Sequence, residues 1–489
     1  MLIKMEWISL LSSLIGVEED ALRLLIGILL AYPIGYVYIN SFLRSATPNI
    51  QHLYFTLTGI LIAWWTIDLA CVSHNCICIF ITFVTLKLFG SSKYVIPFMF
   101  GFHLTYLNVG YIVNNSFGPT VSWTTPHCVL CLRLIGVACD VYDGSKENAK
   151  ETNNEQIRKT IKRDQNNNDA LKEVPSLLEM TSHVFYLPSY FVGPQHSMLK
   201  YQNFIQRNQE KSDMTGSLEF GKSRLFVGCL YLLLNVVGSL FLPVQYVTTN
   251  DFLKNNNFWK QSFYFIIWIK TIFAKYMGVW LLADGAVAIT GLGYDGRERT
   301  EWNLKWDRVV NVKPLKYENC EKFTDLVDCF NITTNVWCKN YVYKRCLRAF
   351  NHKPLSHLIT MGFLAIWHGL SSGYFLCFFF ELFPITFEKE IIHILNTNPF
   401  IKKINERHSW LKEILKVLSK CYFLFFLPHC LTPFVLIRHE LYLPVLWSTN
   451  FLVLAVFGGW FIVKGIICFL CSHKENIRIM EQFSAKKEI

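Results

Sequence analysis

Charge is scarce in this chain. Asp, Glu, Lys and Arg make up 17% of its 489 residues, against 52% apolar residues. Soluble domains carry more charge, which excludes a chain made only of water-exposed globular domains. Acidic residues are the scarcer sign, 36 against 47 basic ones, leaving a formal net charge of +11. Metal-ligand spacings are also missing. Cys128 and Cys131 form a lone C-x-x-C, no second pair follows at zinc spacing, and no metal site is expected. The sixteen cysteines are scattered. Many, such as Cys71, Cys229 and Cys377, sit in apolar runs where cysteine behaves as a small hydrophobe, and all sixteen are read as reduced and structural. No cleavable signal sequence is evident. The apolar run 22–43 is too long for an h-region and lacks a small-residue cleavage site, so it reads as a first membrane span.

What is present is apolar sequence in long runs. The mean hydropathy is +0.28, and aromatics reach 16%, with 40 Phe. This pattern suits lipid-facing and interfacial surface. Candidate spans fall at 22–43, 51–70, 72–90, 94–113, 127–139, 181–193, 223–247, 261–290, 355–383, 418–437 and 445–471. A span needs about 20 apolar residues, so 127–139 and 181–193 cannot cross alone. They are either re-entrant or extended into polar sequence. The expected fold is therefore an all-α polytopic membrane protein with roughly 9–11 transmembrane helices. The positive charge fits cytosolic loops better than nucleic-acid binding, and it also suits an anionic cosubstrate.

One domain spanning 1–489 is expected, with three distinctive polar stretches. The Asn-rich insert 143–175 has almost no large apolar residues and reads as a disordered loop. Residues 201–222 form a second polar loop. Residues 294–350 are polar but rich in Trp, Tyr and Phe, so they should fold against the membrane face. Gly291, Gly293 and Gly296 match G-x-G-x-x-G, but they follow an apolar helix instead of a strand. A flexible exit turn is the better reading. The chain ends Lys486-Lys487-Glu488-Ile489, the form of a dilysine retrieval signal. With His473, Lys474 and Arg478 just before it, a cytosolic tail over 473–489 is expected.

Two residues stand out chemically. His368 lies near the middle of 355–383, and an ionisable residue at membrane depth is a functional hypothesis by default. Ala365, Gly369 and Gly373 lie four apart beside it. On a single helix they would form a ridge that admits a neighbouring helix. The plainer alternative is a buried histidine hydrogen-bonded to a neighbour. Asn331 lies 37 residues upstream. Its amide offers donors and an acceptor, enough to orient a hydroxyl or steady an oxyanion. The alternative is a helix cap.

The blocks Phe191-Val-Gly-Pro-Gln195-His-Ser-Met198, Thr290-Gly-Leu-Gly-Tyr-Asp-Gly296, Lys305-Trp-Asp307, Phe330-Asn-Ile-Thr-Thr-Asn-Val-Trp337 and Trp367-His-Gly-Leu-Ser-Ser-Gly-Tyr374 carry a resemblance. The chain resembles the membrane-bound O-acyltransferases (MBOAT). Within them it is similar to the lysophospholipid acyltransferases that use lysophosphatidylcholine and polyunsaturated acyl-CoA. It departs from the family pattern in the 143–175 insert and in a single-residue expansion between Asn331 and His368. The resemblance implies an MBOAT bundle around an intramembrane reaction chamber, with His368 and Asn331 as the catalytic pair. It also implies acyl-CoA as cosubstrate with no resident cofactor, a lysophospholipid acceptor, membrane-lipid partners, no nucleic acid, and an endoplasmic-reticulum membrane location. Lys305, Arg308, Lys313, Lys316, Lys339, Lys344, Arg345 and Arg348 are candidates for holding the acyl-CoA phosphates, or are simply a positive-inside loop. A relative acting on a protein or sterol acceptor, and a transporter, are the rival readings. The residues leave head group, acyl preference and homo-oligomer formation open.

Overall fold

The computed structural model describes residues 6–114, 121–150, 169–209, 214, 216–294, 306–397 and 409–466. No strand occurs among them. The chain forms two compact units. The first comprises 1–242, 270–319 and 325–371, and the second comprises 243–269, 320–324 and 372–489.

The first unit holds α1 (Glu6–Ile15), α2 (Glu19–Asn40), α3 (Pro48–Thr66), α4 (Leu69–Phe89), α5 (Val95–Val113), α6 (Thr124–Lys150), α7 (Leu177–Val184), α8 (Met198–Gln209) and α9 (Ser217–Phe241). It also takes most of α10 (Phe258–Thr290), then α11 (Ile332–Cys338), α12 (Lys344–Phe350) and α13 (Lys353–His368). The second unit contains the start of α10, then α14 (Ser372–Thr397), α15 (Ser409–Leu436), α16 (His439–Ser448) and α17 (Leu454–Ile466). Local chemistry sets several starts. Asp68 accepts from the Cys71 amide at 2.7 Å to cap α4, and Ser176 with Glu179 forms a reciprocal capping box on α7.

Six helices among the described residues are long and apolar enough to cross a membrane. They are α2, α4, α5, the 217–248 stretch containing α9, α10 and α15. The two short apolar runs resolve differently from each other. Run 127–139 belongs to a 27-residue helix, α6, which extends into polar sequence as far as Lys150. The beginning of the insert expected to be disordered is thus helical, while 151–168 lies outside the described residues. Run 181–193 is not a spanning helix. It ends α7, makes one 3-10 turn at Leu187–Ser189 and then runs irregularly. Nearly all of it is buried in protein, the condition under which irregular backbone survives at such depth.

The stretch 355–383 is not one helix. α13 stops at His368, and Gly369 adopts φ +133°, with its amide bonded back to the Ala365 and Ile366 carbonyls at 3.1 and 3.2 Å. That backbone favours glycine and cannot continue an α-helix. The expected Ala365–Gly369–Gly373 ridge is therefore divided. Gly373 does serve a close approach, inside the second unit. A Cβ there would lie 2.3 Å from the Pro433 carbonyl oxygen and 2.5 Å from that of Ile437. A small-residue seam appears instead between α9 and α10. A Cβ on Gly278 would meet the Gly228 carbonyl oxygen at 3.1 Å, and one on Gly285 would meet the Gly221 carbonyl oxygen at 2.9 Å. The apolar run 445–471 is likewise interrupted, with Asn450 and Phe451 at φ +51° and +46°.

Candidate active site

The site is organised by α6. This helix is buried along most of its length, which lets it carry polar groups that lipid would not tolerate. Arg133, 2% exposed, donates to the carbonyls of His183 and Val184, each at 3.0 Å, and to the carbonyl and hydroxyl of Ser189, each at 2.6 Å. One guanidinium thereby ties the end of α7 to the 3-10 turn at Leu187–Ser189. About two turns further along, Asp140 accepts from the Tyr341 hydroxyl at 2.8 Å, and nearly one turn beyond it Asp143 pairs with Arg345 at 2.6 Å. These contacts bind the 331–350 segment to α6. They also draw the helix onward through Asp143.

Residues 294–350, expected against a membrane face, bury many of their aromatics in protein, including Trp306, Tyr317, Trp337 and Tyr341. Phe330 stacks on Phe273 of α10, with centroids 4.8 Å apart. The glycine-rich segment is an exit turn as far as it is described. Gly291 has φ +101°, and the Gly293 carbonyl accepts from the Arg308 amide at 3.1 Å. Asp295, Gly296 and Lys305 lie outside the described residues.

Asn331 begins α11 in the left-handed conformation, φ 51° and ψ 40°. It occupies the N-cap position, but its side chain makes no capping hydrogen bond. The cap alternative therefore accounts for its place and not for its amide. Asn tolerates this backbone better than most residues, and such outliers cluster at functional sites. His368 is the last residue of α13, half-buried and edge-on to Trp367, with ring centroids 4.6 Å apart. The preceding turn is held by α5 and α6. Asn108 donates to the Ile366 carbonyl at 3.0 Å, and the Trp367 indole donates to the Cys128 carbonyl at 3.0 Å. Trp337 of α11, Phe363 and Trp367 of α13, and Leu132 and Ile135 of α6 share one buried cluster. The structure thus joins the helix that Asn331 opens to the helix that His368 closes.

A cavity of about 310 Å³ lies in the same unit, lined in part by Arg133, Gln195, His196, Lys200, Arg308 and Thr333. Neither Asn331 nor His368 is among its lining residues. Of the basic candidates, Arg308 and Lys313 reach this cavity, and Lys305 is not described. Arg345 is committed to Asp143, and Lys316 pairs with Asp328 at 3.4 Å. Arg133 and Lys200 line the cavity as well. Sequence reasoning missed them because they lie far from 294–350 in the chain. Burial, reinforced by Arg133 and His183, holds the His196 imidazole well below the ordinary histidine range. Its Nε2 has no hydrogen-bond partner among the described residues.

The sequence pattern of the membrane-bound O-acyltransferase family matches residues 109–436, which include the irregular segment, Asn331 and His368. The chain belongs to that family. It is thus an all-α polytopic membrane protein, and this MBOAT chain also aligns nearly end to end with relatives. Lysophospholipid acyltransferase 5 of Homo sapiens is 32% identical over 483 residues, covering 96% of this chain and 94% of the relative. The protein of that name from Drosophila melanogaster is 31% identical over 454 residues, covering 90% and 86%. A lysophospholipid acyltransferase of Schizosaccharomyces pombe is 28% identical over 401 residues, covering 77% and 73%.

Proposed function

We propose that this MBOAT chain is a lysophospholipid acyltransferase. It moves a fatty acyl group, preferentially polyunsaturated, from acyl-CoA to the sn-2 hydroxyl of lysophosphatidylcholine and related lysophospholipids. The observation that carries this reading is the alignment with lysophospholipid acyltransferase 5 across 96% of the chain. The site chemistry is consistent with it. Histidine has an unperturbed pKa of about 6.5, near neutrality. His368 removes the proton of the acceptor hydroxyl as that oxygen attacks the thioester carbonyl. Asn331 directs its amide at the hydroxyl or at the oxyanion. The carbon–sulfur bond then breaks, and the proton passes to the departing CoA thiolate. The products are a diacyl phospholipid and CoA. Positioned base catalysis is worth about 10²–10⁴-fold, and alignment of two long-chain substrates adds to it.

The cavity lining carries Arg133, Lys200, Arg308 and Lys313 alongside Asp140, Asp169 and Asp307. Lys200 and Lys313 pair with Asp169 and Asp307 at 3.8 Å each. Arg308 is therefore the lining cation offered to the acyl-CoA phosphates, the anions this reaction supplies. Lys486 and Lys487 support an endoplasmic-reticulum location with a cytosolic C-terminus. The deciding assay offers purified protein a panel of lysophospholipids and labelled acyl-CoAs. Label appearing in diacyl phospholipid is the expected result. Transfer only to a sterol or a protein, or no transfer to any lysophospholipid, overturns the reading.

A further inference from the structure

Asn331 is held in its left-handed turn from outside its own helix. On one side of it, the Cys329 carbonyl accepts from the Lys313 amide at 2.9 Å. On the other, the Ile332 amide donates to the Asn311 carbonyl at 2.9 Å. The next residue, Thr333, donates its hydroxyl to the Asn311 side-chain oxygen. The same hydroxyl accepts from the Gln195 amide at 2.9 Å. Asn311 is itself fixed. Its backbone N–H donates to the Asp284 carboxylate, 2.9 and 3.0 Å from the two oxygens, and the Val312 backbone N–H lies 3.3 Å from one of them. Asp284 is fully buried on α10 and Asn311 is 1% exposed. A rigid helix, a buried carboxylate, a buried amide and one hydroxyl thus form a continuous clamp that ends beside Asn331.

We propose that Thr333 is a positioning residue, held by Asn311 and through it by Asp284, that fixes the turn at Asn331 and so aims its amide. This rests on the catalytic reading of Asn331. A threonine hydroxyl has one proton and two acceptor sites. Here the proton goes to Asn311 and one acceptor site to the Gln195 amide, so the hydroxyl joins the 195 segment, the 311 segment and the start of α11. Asn331 has no side-chain capping bond to hold it in place. Its orientation therefore depends on how its neighbours are pinned. Thr333 also lines the cavity, as do Gln195 and Ile332, so one clamp shapes the cavity wall and the Asn331 turn together.

The test separates positioning from mere stability by measuring turnover and apparent KM separately. Radiolabelled acyl-CoA and lysophosphatidylcholine serve as substrates for the purified full-length protein. Thr333→Val removes the hydroxyl at constant shape, Thr333→Ser keeps it, and Thr333→Ala is a second way to remove it. Turnover of Thr333→Val should fall about 10- to 100-fold, the usual cost of misplaced reacting geometry. KM for acyl-CoA should stay close to wild type. The melting temperature should fall modestly, because the Gln195 backbone amide and the Asn311 side-chain oxygen lose a partner. Thr333→Ser should restore both turnover and melting temperature. Combined with Asn331→Ala, the valine change should cost nothing further, because it acts through Asn331. Where that double variant falls below detection, amide hydrogen exchange over 331–335 decides. Faster exchange there in Thr333→Val supports the proposal, and unchanged exchange overturns it. Wild-type turnover in Thr333→Val, or an equal loss with and without Asn331, also overturns it. A fully active Asn331→Ala protein instead removes the catalytic reading of Asn331 beneath it.

Discussion

α6 and α9 are both long helices of the first unit, and they divide its work. Only 6% of the most apolar window of α9 is buried, and Phe226, Leu233 and Leu240 stand exposed along it. Its inner face is a row of glycines against α10. α6 carries Arg133, Asp140 and Asp143 and is wrapped by protein. Hydropathy is a measure of preference for lipid. It finds the helix that meets lipid, and it undervalues the helix that meets protein and anchors the site.

Activity is expected to be most sensitive in the elements fastened to α6, and the contrast with α9 can be broken in order of effect. The largest effect belongs to His368→Ala, at the end of a helix tied to Cys128. Acyl transfer should fall by about 10²–10⁴-fold with little change in melting temperature. Activity within a few-fold of wild type removes His368 from the chemistry. Asn331→Ala and Asn331→Asp should each lose about 10²–10³ in turnover, the typical cost of one oxyanion-type donor. Apparent affinity for acyl-CoA should change much less. An active Asn331→Asp enzyme would mean that the amide is not needed.

The next two effects concern stability and set the two helices directly against each other. Arg133→Met strands the carbonyls of His183, Val184 and Ser189 in a buried site. The expected loss is about 3 kcal/mol, read as a lower melting temperature in detergent. On α9, Leu233→Ala, lipid-facing by its exposure, should change stability by no more than about 0.5 kcal/mol. Similar losses for both would erase the distinction drawn between the helices. Between them lies Asp143→Asn. Its pair with Arg345 is partly exposed, with side chains 32% and 19% accessible, and such pairs contribute at most about 1 kcal/mol.

Much of this was legible in the sequence. Long apolar runs marked helices able to cross a membrane, because lipid leaves the backbone no other partner than itself. Residue types singled out His368 and Asn331 as candidates for the variants above to test, since an imidazole and an amide keep their chemistry wherever the chain takes them. Motif blocks marked the family. Tertiary structure decided the rest. It broke 355–383 at Gly369, because glycine permits a left-handed turn without announcing one. It moved the small-residue seam to α9 and α10, because such a seam needs a partner face that spacing alone does not supply. It extended α6 through Asp143, because Arg345 lies about two hundred residues away in the chain. The clamp from Asp284 to Thr333 was invisible for the same reason. Local sequence determines propensity and chemistry, whereas pairing between distant segments depends on which surfaces the packed helices bring together.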